Sequence, residues 1–278
     1  MISLLKRLFG KTPPTVPVLR LSGMIAASSG PRRGLSMAAT APLIDKAFST
    51  KGAKAVALVI NSPGGSPVQS SLIFERIRHL SREHNIPVLS FVEDVAASGG
   101  YWLACAGDEI YANGASVIGS IGVVSAGFGF EGAIEKLGIT RRVYTAGKKK
   151  VMLDPFQPEN EADIERLKDL QRDIHDQFVS MVKARRGTKL ADDDDLFSGA
   201  FWTGTAALKL GLVDHLGELR QTLKARFGEK VKINLIEPKR SLLGMSSSSG
   251  VASKFAEASI DHLLDVVDEK TARSRFGL

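Results

Sequence analysis

The sequence contains a single cysteine, Cys105, among 278 residues. One thiol excludes an internal disulfide framework, and this scarcity is typical of proteins from a reducing compartment. Cys105 lies within an apolar segment, which predicts a buried and chemically inert thiol. The sequence also lacks any run of about 18 to 20 uncharged apolar residues, so it predicts no membrane-spanning helix.

The first nine residues lack the long apolar core and the small-residue cleavage site of a secretory signal. Lys6 and Arg7 interrupt the apolar residues there, which leaves two interpretations. The segment either lies as a short helix on a membrane surface or is a frayed or partner-docking terminus. These features predict a cytoplasmic protein with, at most, peripheral contact with the inner membrane.

Aromatic residues are few, at 6%, and the net charge of +7 is spread along the chain. No stretch combines basic and aromatic residues as nucleic-acid-binding modules do, so we expect no nucleic-acid partner and attribute the charge mainly to solubility. The acidic run at residues 192–195 lacks the glycine and the distal glutamate of a calcium-binding loop. We interpret it as a solvated loop and expect neither a metal nor a cofactor.

The chain length and the hydrophobic content of 44% predict one large α/β domain with appendages. We place the domain at residues 16–237, after an N-terminal extension at 1–15. A C-terminal linker and tail helix follow at 238–278, because apolar residues between 252 and 268 have helical spacing. The tail helix either packs on its own domain or docks on a neighbouring subunit.

Predicted strands and helices alternate along the domain. Continuous apolar runs predict buried strands at 55–60 and 87–92, each followed by a glycine-rich turn and a helix. This order is typical of a parallel α/β sheet, in which both turns fall at the same, ligand-binding edge. The sequence therefore places Gly64 and Gly65 beside Ser98.

The second half of the chain shows weaker strand signals. Short strands are predicted at 116–125 and 141–145, with a short helix between them. Apolar residues at helical spacing predict a long amphipathic helix over 160–186.

Ser98 stands where the strand at 87–92 gives way to a helix, with two alanines before it and two glycines after it. A serine at such a turn has its hydroxyl lifted out of the sheet, near the unpaired N–H groups of the helix start. Those N–H groups favour negative charge, as an oxyanion requires. The alternative interpretation is a glycine-rich tight turn with no chemical role.

A nucleophilic serine needs a base. The five histidines stand in positions typical of surface or capping residues, without an evident orienting partner, so a Ser-His-Asp triad has little support. Lysine is the other candidate, because removal from water lowers its pKa from about 10.4 and favours the neutral amine. The candidates are Lys148, Lys149 and Lys150, for which a solvated basic face is the alternative. Lys150 adjoins the apolar residues 151–153 and is the most easily desolvated.

Four motifs occur together in a fixed order: Asn61-Ser62-Pro63-Gly64-Gly65, Ala96-Ala97-Ser98-Gly99-Gly100-Tyr101, Gly119-Ser120-Ile121-Gly122-Val123 and Gly147-Lys148-Lys149-Lys150. Together they resemble the signal peptide peptidase A family of serine peptidases. Two later motifs, Trp202-Thr203-Gly204 and Gly211-Leu212-Val213-Asp214, are similar to the closing segment of that family. The resemblance extends over residues 16–235.

This resemblance implies a ClpP/crotonase-like fold, with stacked β-sheets and surrounding helices, and a Ser/Lys dyad. Ser98 matches the family's nucleophile. Lys150 matches the general base, because the family's lysine is the third residue after a glycine, here Gly147. The triple lysine leaves Lys149 as the alternative register.

Three further residues match the family pattern. Ser120 matches the hydroxyl that helps to hold the lysine, and Gly65 and Gly99 match the backbone N–H donors to the oxyanion. These roles agree with the chemistry of peptide hydrolysis, in which two N–H groups hold the charge that develops as the serine attacks.

The resemblance thus implies a serine endopeptidase that hydrolyses unfolded or apolar peptides such as signal-peptide remnants, and that works as a homo-oligomer. Two rival functions fit the same fold. A crotonase-type acyl-CoA enzyme would use the oxyanion hole with acidic residues near the turn and no nucleophilic serine. A non-catalytic relative would serve as a scaffold or membrane-surface adaptor, and would not depend on Ser98 or Lys150.

Overall fold

The computed structural model describes residues 13–27, 34–147, 149–237 and 270–278. Its strands are β1 (Thr15–Ser22), β2 (Val56–Ser62), β3 (Val88–Ala97), β4 (Glu109–Ala112), β5 (Val117–Gly119), β6 (Phe201–Thr203), β7 (His215–Leu216) and β8 (Lys232–Leu235). Its α-helices are α1 (Met37–Phe48), α2 (Pro67–His84), α3 (Gly99–Ala104), α4 (Glu131–Lys136), α5 (Glu161–Arg186), α6 (Gly204–Lys209) and α7 (Leu219–Phe227). Short 3-10 helices follow at Gly187–Lys189 and Asp194–Phe197, and residues 270–274 are also helical.

The strands form an 8-stranded sheet whose main path runs β6-β5-β3-β2-β1-β8. Within the described residues, every pairing is parallel except that of β5 with β6. The long strand β3 pairs with two strands on the same side: its first half bonds to β4, and its last residues bond to β5. The predicted α/β class with parallel strands is confirmed, and β3 is the strand from which two branches of the sheet diverge.

Successive side chains of the central strands point into two apolar cores, one on each face of the sheet. On one face, Leu58 of β2 lies in a core with Ile44 of α1 and Ile77 of α2. On the other face, Val59 belongs to a smaller core with Leu223 of α7. The continuous apolar run of β2 is therefore explained by helices covering both faces.

The segment between β5 and α5 differs from the prediction. The strand predicted at 141–145 is wrong, since these residues have no regular structure, and the strand predicted at 116–125 is reduced to Val117–Gly119. Nearly all described residues from 124 to 150 are exposed. An extended segment needs a neighbouring strand for its backbone hydrogen bonds, and none of the described strands lies beside this one.

The N-terminal segment with its two interpretations and the predicted tail helix over 252–268 lie outside the described residues, so both stay predictions. The last nine residues are described, and they pack against the domain. Arg273 donates to the side-chain oxygen of Asn61 at 3.2 Å, and Phe276 packs edge-to-face on Phe201 with ring centroids 5.0 Å apart.

A buried ion pair joins the end of α5 to the segment before β7. Arg186 donates to both carboxylate oxygens of Asp214, at 2.8 and 3.1 Å, and the two side chains are 2% and 8% exposed. Lys189 and the backbone N–H of Ile110 donate to the same carboxylate, at 2.6 and 2.8 Å. Burial alone would raise the pKa of Asp214, but these hydrogen bonds outweigh it and lower the pKa to about 2.

The same closing segment supports α3 from behind. The carbonyl of Leu212 accepts a hydrogen bond from the buried hydroxyl of Tyr101 at 2.7 Å, and the carbonyl of Gly211 accepts one from Arg186 at 2.9 Å. Because α3 directly follows Ser98, the ion pair contributes to the rigidity of the turn that carries this serine.

We expect Asp214→Asn to lower the free energy of unfolding by about 3 kcal/mol, because it leaves the Arg186 charge buried without its counter-ion. Urea denaturation at pH 7, followed by circular dichroism, measures the loss. Glu93→Gln is the matched control, since Glu93 forms an exposed pair with Arg20 at 2.7 Å and its loss should cost less than about 1 kcal/mol. Equal losses in the two variants would contradict the prediction.

The pH dependence has a defined sign. The pKa of Asp214 is lower in the folded state than its ordinary value of 3.8, so the folded state binds fewer protons. The carboxylate therefore contributes stability above pH 3.8, of about 2 kcal/mol, and this contribution is lost as the pH falls towards 2. The stability difference between the wild type and Asp214→Asn should shrink over this range.

Candidate active site

Ser98 joins β3 to α3 with φ 52° and ψ −123°, a conformation that few non-glycine residues adopt. Its carbonyl accepts hydrogen bonds from the N–H groups of Tyr101 and Trp102, at 2.9 and 3.1 Å, which start the helix. Its hydroxyl caps no N–H group of the helix, and the residue is half-buried. The sharp turn thus presents the hydroxyl at the edge of the sheet, as a nucleophilic serine requires.

Two glycines at the end of β2 lie against this turn. A Cβ built on Gly64 would be 2.8 Å from the Cβ of Ser98, and one built on Gly99 would be 3.4 Å from the backbone nitrogen of Gly65. Within the described residues, the N–H groups of Gly65 and Gly99 donate to no other group of the chain. Two unpaired N–H groups beside a serine hydroxyl can hold an oxyanion. The predicted closeness of the Gly64-Gly65 turn to Ser98 is confirmed.

Ser120 is the neighbour of Ser98 on the other side. The register that pairs Ala97 of β3 with Gly119 of β5 sets the two serines next to each other, and the N–H of Ser98 donates to the carbonyl of Gly119 at 2.8 Å. Ser120 also has a positive φ, of 53°, and its N–H donates to the carbonyl of Ala200 at 2.7 Å. Strand pairing therefore brings together two serines on strained turns.

Both serines line a cleft of about 660 Å³, whose wall includes apolar side chains from Met24, Val124 and Phe197. None of the Asp or Glu residues in the described part of the chain lines it. The crotonase-type alternative needs acidic residues near this turn, so the cleft argues against it. These apolar side chains can contact an apolar chain lying beside Ser98, and Gln171, Arg172 and Arg275 add polar groups to the same wall.

No lysine among the described residues lines the cleft. Lys149 and Lys150 are exposed in the turns after Gly147, and Lys148 lies outside the described residues. The N–H of Lys150 donates to the carbonyl of Gly147 at 3.1 Å, which closes one of these turns. A single chain thus assembles the predicted serines and glycines of the site but leaves Lys150 outside the cleft.

His175 of α5 lines the cleft, contrary to the expectation that all histidines are surface or capping residues. Its ring is half-buried, with Nε2 3.2 Å from the carbonyl oxygen of Ile121. A carbonyl only accepts hydrogen bonds, so Nε2 carries the hydrogen in this contact. Helical spacing could have predicted that His175 faces the domain. It stands three residues before the buried Phe178 and four after Gln171, on one face of the helix.

The thiol of Cys105 plays no part in this site. Cys105 is fully buried behind the turn, at the end of α3, and burial raises the pKa of the thiol to about 12. The predicted burial of the thiol is confirmed, and a nucleophilic cysteine would instead need a depressed pKa and access to solvent.

We expect Gly64→Ala to slow the modification of Ser98 by a fluorophosphonate about 100-fold, because displacements near 1 Å in a reacting site cost that much. The added methyl group would meet the Ser98 side chain and the Ala97 carbonyl, each at 2.8 Å. Intact-protein mass spectrometry over time gives the rate. Gly52→Ala is the control: Gly52 also has a positive φ, of 76°, but open space around it, so labelling should stay normal. Normal labelling of Gly64→Ala would show that the turn tolerates displacement.

The sequence profile of Peptidase family S49 matches residues 81–233, more than half of the chain. A putative protease of Synechocystis, slr0021, is 32% identical over 242 residues, which cover 84% of this chain and 83% of that protein. A putative signal peptide peptidase SppA of Enterococcus faecium is 31% identical over 77% of this chain and 62% of its own length.

Two solved structures of the 1510-N membrane-bound stomatin-specific protease have a similar fold. One is a serine-to-alanine mutant and covers 82% of this chain, and the other is a lysine-to-alanine mutant with a substrate peptide and covers 90%. In each case 99% of that chain is covered, with a TM-score of 0.50 and 16% identity. At this identity the likeness concerns the fold alone, and it agrees with the predicted ClpP/crotonase-like fold.

A protein of Brucella abortus with the name Na(+)/H(+) antiporter NhaA is 54% identical over 99% of this chain. The chain spans only 38% of that protein, so the name describes a much longer molecule. No helix in the described ranges is long and apolar enough to cross a membrane. On the family profile and the match to the Synechocystis protein over more than four fifths of both chains, this chain belongs to Peptidase family S49.

Proposed function

We propose that this chain is a serine endopeptidase with Ser98 as the nucleophile. The observation that carries the proposal is the strained turn that sets Ser98 beside the N–H groups of Gly65 and Gly99, which are unpaired within the part of the chain that the structure describes. The hydroxyl attacks the scissile carbonyl carbon, the two N–H groups hold the oxyanion, and water later hydrolyses the acyl-enzyme. Membership of Peptidase family S49 and the protease relatives support this function.

The base in this proposal is Lys150, which takes the proton of Ser98 and passes it to the leaving amine. A lysine accepts a proton only as a neutral amine, and burial favours that form. Lys150 is exposed in the single chain, so its burial must come from contacts that one copy does not make. Ser120, directly beside Ser98, offers a hydroxyl that can orient the amine.

A second copy of the chain is the partner that we propose for this burial. The segment 123–157 carries large apolar side chains into solvent, and among them Phe128 is 80% and Tyr144 89% exposed. The others are Val124, Phe130, Leu137, Ile139, Val143 and Leu153. Clustered exposed apolar side chains are typical of an interaction surface. Lys150 belongs to this segment, so docking on a neighbouring copy would bury the apolar side chains and bring the amine to that copy's cleft.

The substrates that we propose are unfolded or apolar peptides, such as signal-peptide remnants. Part of the cleft wall is apolar, and no acidic side chain among the described residues lines it. A peptide must lie extended beside Ser98 to expose its carbonyl to attack, which a folded chain rarely permits. The signal peptide peptidase name of the Enterococcus relative supports this substrate class.

The proposed site of action is the cytoplasm, with peripheral contact with the inner membrane. The single buried cysteine is in keeping with a reducing compartment. The N-terminal residues on which membrane contact depends lie outside the described ranges.

Ser98→Ala and Lys150→Ala should each lower hydrolysis of a fluorogenic apolar peptide by at least ~100-fold while leaving the circular dichroism spectrum unchanged. Lys149→Ala, an exposed neighbour, is the control and should keep most of the activity.

Normal turnover of Lys150→Ala would refute the assignment. Loss in Lys149→Ala would then shift the register by one residue, and loss in His175→Ala would make the base a histidine.

Mixing tests whether the dyad forms between copies. Ser98→Ala and Lys150→Ala proteins, each inactive alone, should regain part of the activity when they are mixed and their subunits exchange. Each restored site would combine Ser98 from one copy with Lys150 from another. A dyad within one chain would leave the mixture inactive, and analytical ultracentrifugation of both variants verifies that they assemble.

A further inference from the structure

Asp154 is an almost fully buried carboxylate in the otherwise exposed segment 123–157. Its side chain is 2% exposed, whereas nearly all described residues from 124 to 150 are exposed. Removing a carboxylate from water is costly unless charged or polar groups replace the lost water. The partners of Asp154 therefore indicate what gives this segment its shape.

Each carboxylate oxygen of Asp154 accepts a hydrogen bond. Nε of Arg141 donates to Oδ2 at 2.9 Å, and the backbone N–H of Phe156 donates to Oδ1 at 3.1 Å. The backbone carbonyl of Asp154 also accepts from the N–H of Gln157 at 3.1 Å. Arg141 precedes Asp154 by 13 residues, so the ion pair closes a loop over residues 141–154, and Lys150 lies within this loop.

Aromatic side chains extend this ion pair. The guanidinium carbon of Arg141 lies 4.9 Å from the centre of the Phe156 ring, a cation–π contact, and Phe156 packs on Phe130 with ring centroids 5.6 Å apart. The N–H of Phe130 donates to the carbonyl of Pro155 at 2.6 Å. Phe130 directly precedes α4, so these contacts join the start of that helix to the far end of the loop.

A short stretch connects Lys150 to this anchor. Lys150 precedes Asp154 by four residues, and Leu153 between them has a φ of 57°, which a leucine rarely adopts. Such a conformation persists only where neighbouring contacts hold it. The bonds of Asp154, the next residue, are the contacts that can hold Leu153 in this conformation and thereby direct the backbone that carries Lys150.

We infer that Asp154 is a positioning residue for Lys150. Through Arg141 and Phe156 it holds the loop 141–154 in the shape that delivers the lysine amine to Ser98 of a neighbouring copy. This inference rests on the proposed peptidase function. A displacement of about 1 Å in a reacting group costs about 100-fold in rate, so a base on an exposed loop needs an anchor. A loop that is already ordered also loses less conformational entropy when it docks.

The alternative is that Asp154 only stabilises the fold or the assembly of copies. A positioning residue acts through Lys150, so its loss should lower kcat and leave the cleft that binds the peptide unchanged. A purely structural residue would instead lower the activity of every variant by the same factor, whether or not Lys150 is present.

The kinetic experiment measures hydrolysis of a fluorogenic apolar peptide by the full chain carrying Asp154→Ala. We expect kcat to fall about 10-fold to 100-fold, with KM within about twofold of the wild type, because Asp154 does not line the cleft of Ser98. Asp154→Asn keeps one acceptor oxygen and should lose less. Glu135→Ala, which removes an exposed carboxylate of α4 from the same segment, is the control and should behave as the wild type. Normal kcat in Asp154→Ala would overturn the inference.

Two double variants test how Asp154 acts. Arg141→Ala should lower kcat as well, and the variant with both Arg141→Ala and Asp154→Ala should be no slower than Asp154→Ala alone, because the two residues form one pair. In Lys150→Ala, adding Asp154→Ala should leave the slow labelling of Ser98 by a fluorophosphonate unchanged. A further fall in that labelling, with assembly intact by analytical ultracentrifugation, would show a structural role and overturn the inference.

Hydrogen–deuterium exchange gives a readout that needs no catalysis. The backbone N–H groups of Phe130 and Phe156 should exchange at least ~10-fold faster in Asp154→Ala, since a hydrogen bond to a charged group is lost. The amides of β3 should exchange as in the wild type, because the Asp154 side chain bonds only within its own segment. Unchanged exchange at Phe130 and Phe156 would overturn the inference.

These measurements separate the failure of the inference from the failure of the proposed function. Faster exchange in the segment together with normal kcat in Asp154→Ala would overturn the role of Asp154 and leave the peptidase function intact. Absence of both hydrolysis and Ser98 labelling in the wild type would instead refute the peptidase function, and with it the role of Asp154.

Discussion

The parallel pairing of β2, β3 and β5 is the constraint on which the rest of the site depends. Parallel strands bring their carboxyl ends to one edge of a sheet, so the Gly64-Gly65 turn, Ser98 and Ser120 meet there although they are distant in sequence. The N–H of Ser98 donates to the carbonyl of Gly119, which ties the two strained turns to each other. A register shift of one residue would turn every side chain of β3 to the opposite face, and the site would not form.

A turn with an unfavourable backbone conformation persists only where the contacts around it hold it in place. Behind Ser98, Tyr101 is bonded to the carbonyl of Leu212, and Trp102 stacks on Phe178 with ring centroids 4.7 Å apart. The carbonyl of Gly211 and the carboxylate of Asp214 hold the buried guanidinium of Arg186. The long helix α5 and the closing segment therefore support the short helix after the serine, and the buried charges are tolerated there because they pair with each other.

The segment that carries Lys150 is packed less tightly than the sheet that carries Ser98. The segment 123–157, which carries Lys150, has few buried side chains, and of residues 270–278 only Ala272, Arg273 and Phe276 are half-buried. The proposed nucleophile and the proposed oxyanion donors belong to the sheet and its edge, whereas the proposed base belongs to a weakly packed part of the chain. This division is the reason for our proposal that contacts with another copy complete the site.

Local pattern determined the regular elements and their order. The apolar runs identified β2 and the start of β3, and helical periodicity predicted α5 to within a residue. The glycine turns also predicted that Ser98 and the Gly64-Gly65 turn share one edge, since this follows from strand direction alone. Sequence motifs could not show that Lys150 lies outside the cleft of its own chain, that His175 lies inside it, or that residues 141–145 form no strand. Each of these depends on which surfaces meet across the fold, and periodicity reports only which face of an element is apolar, not what covers it.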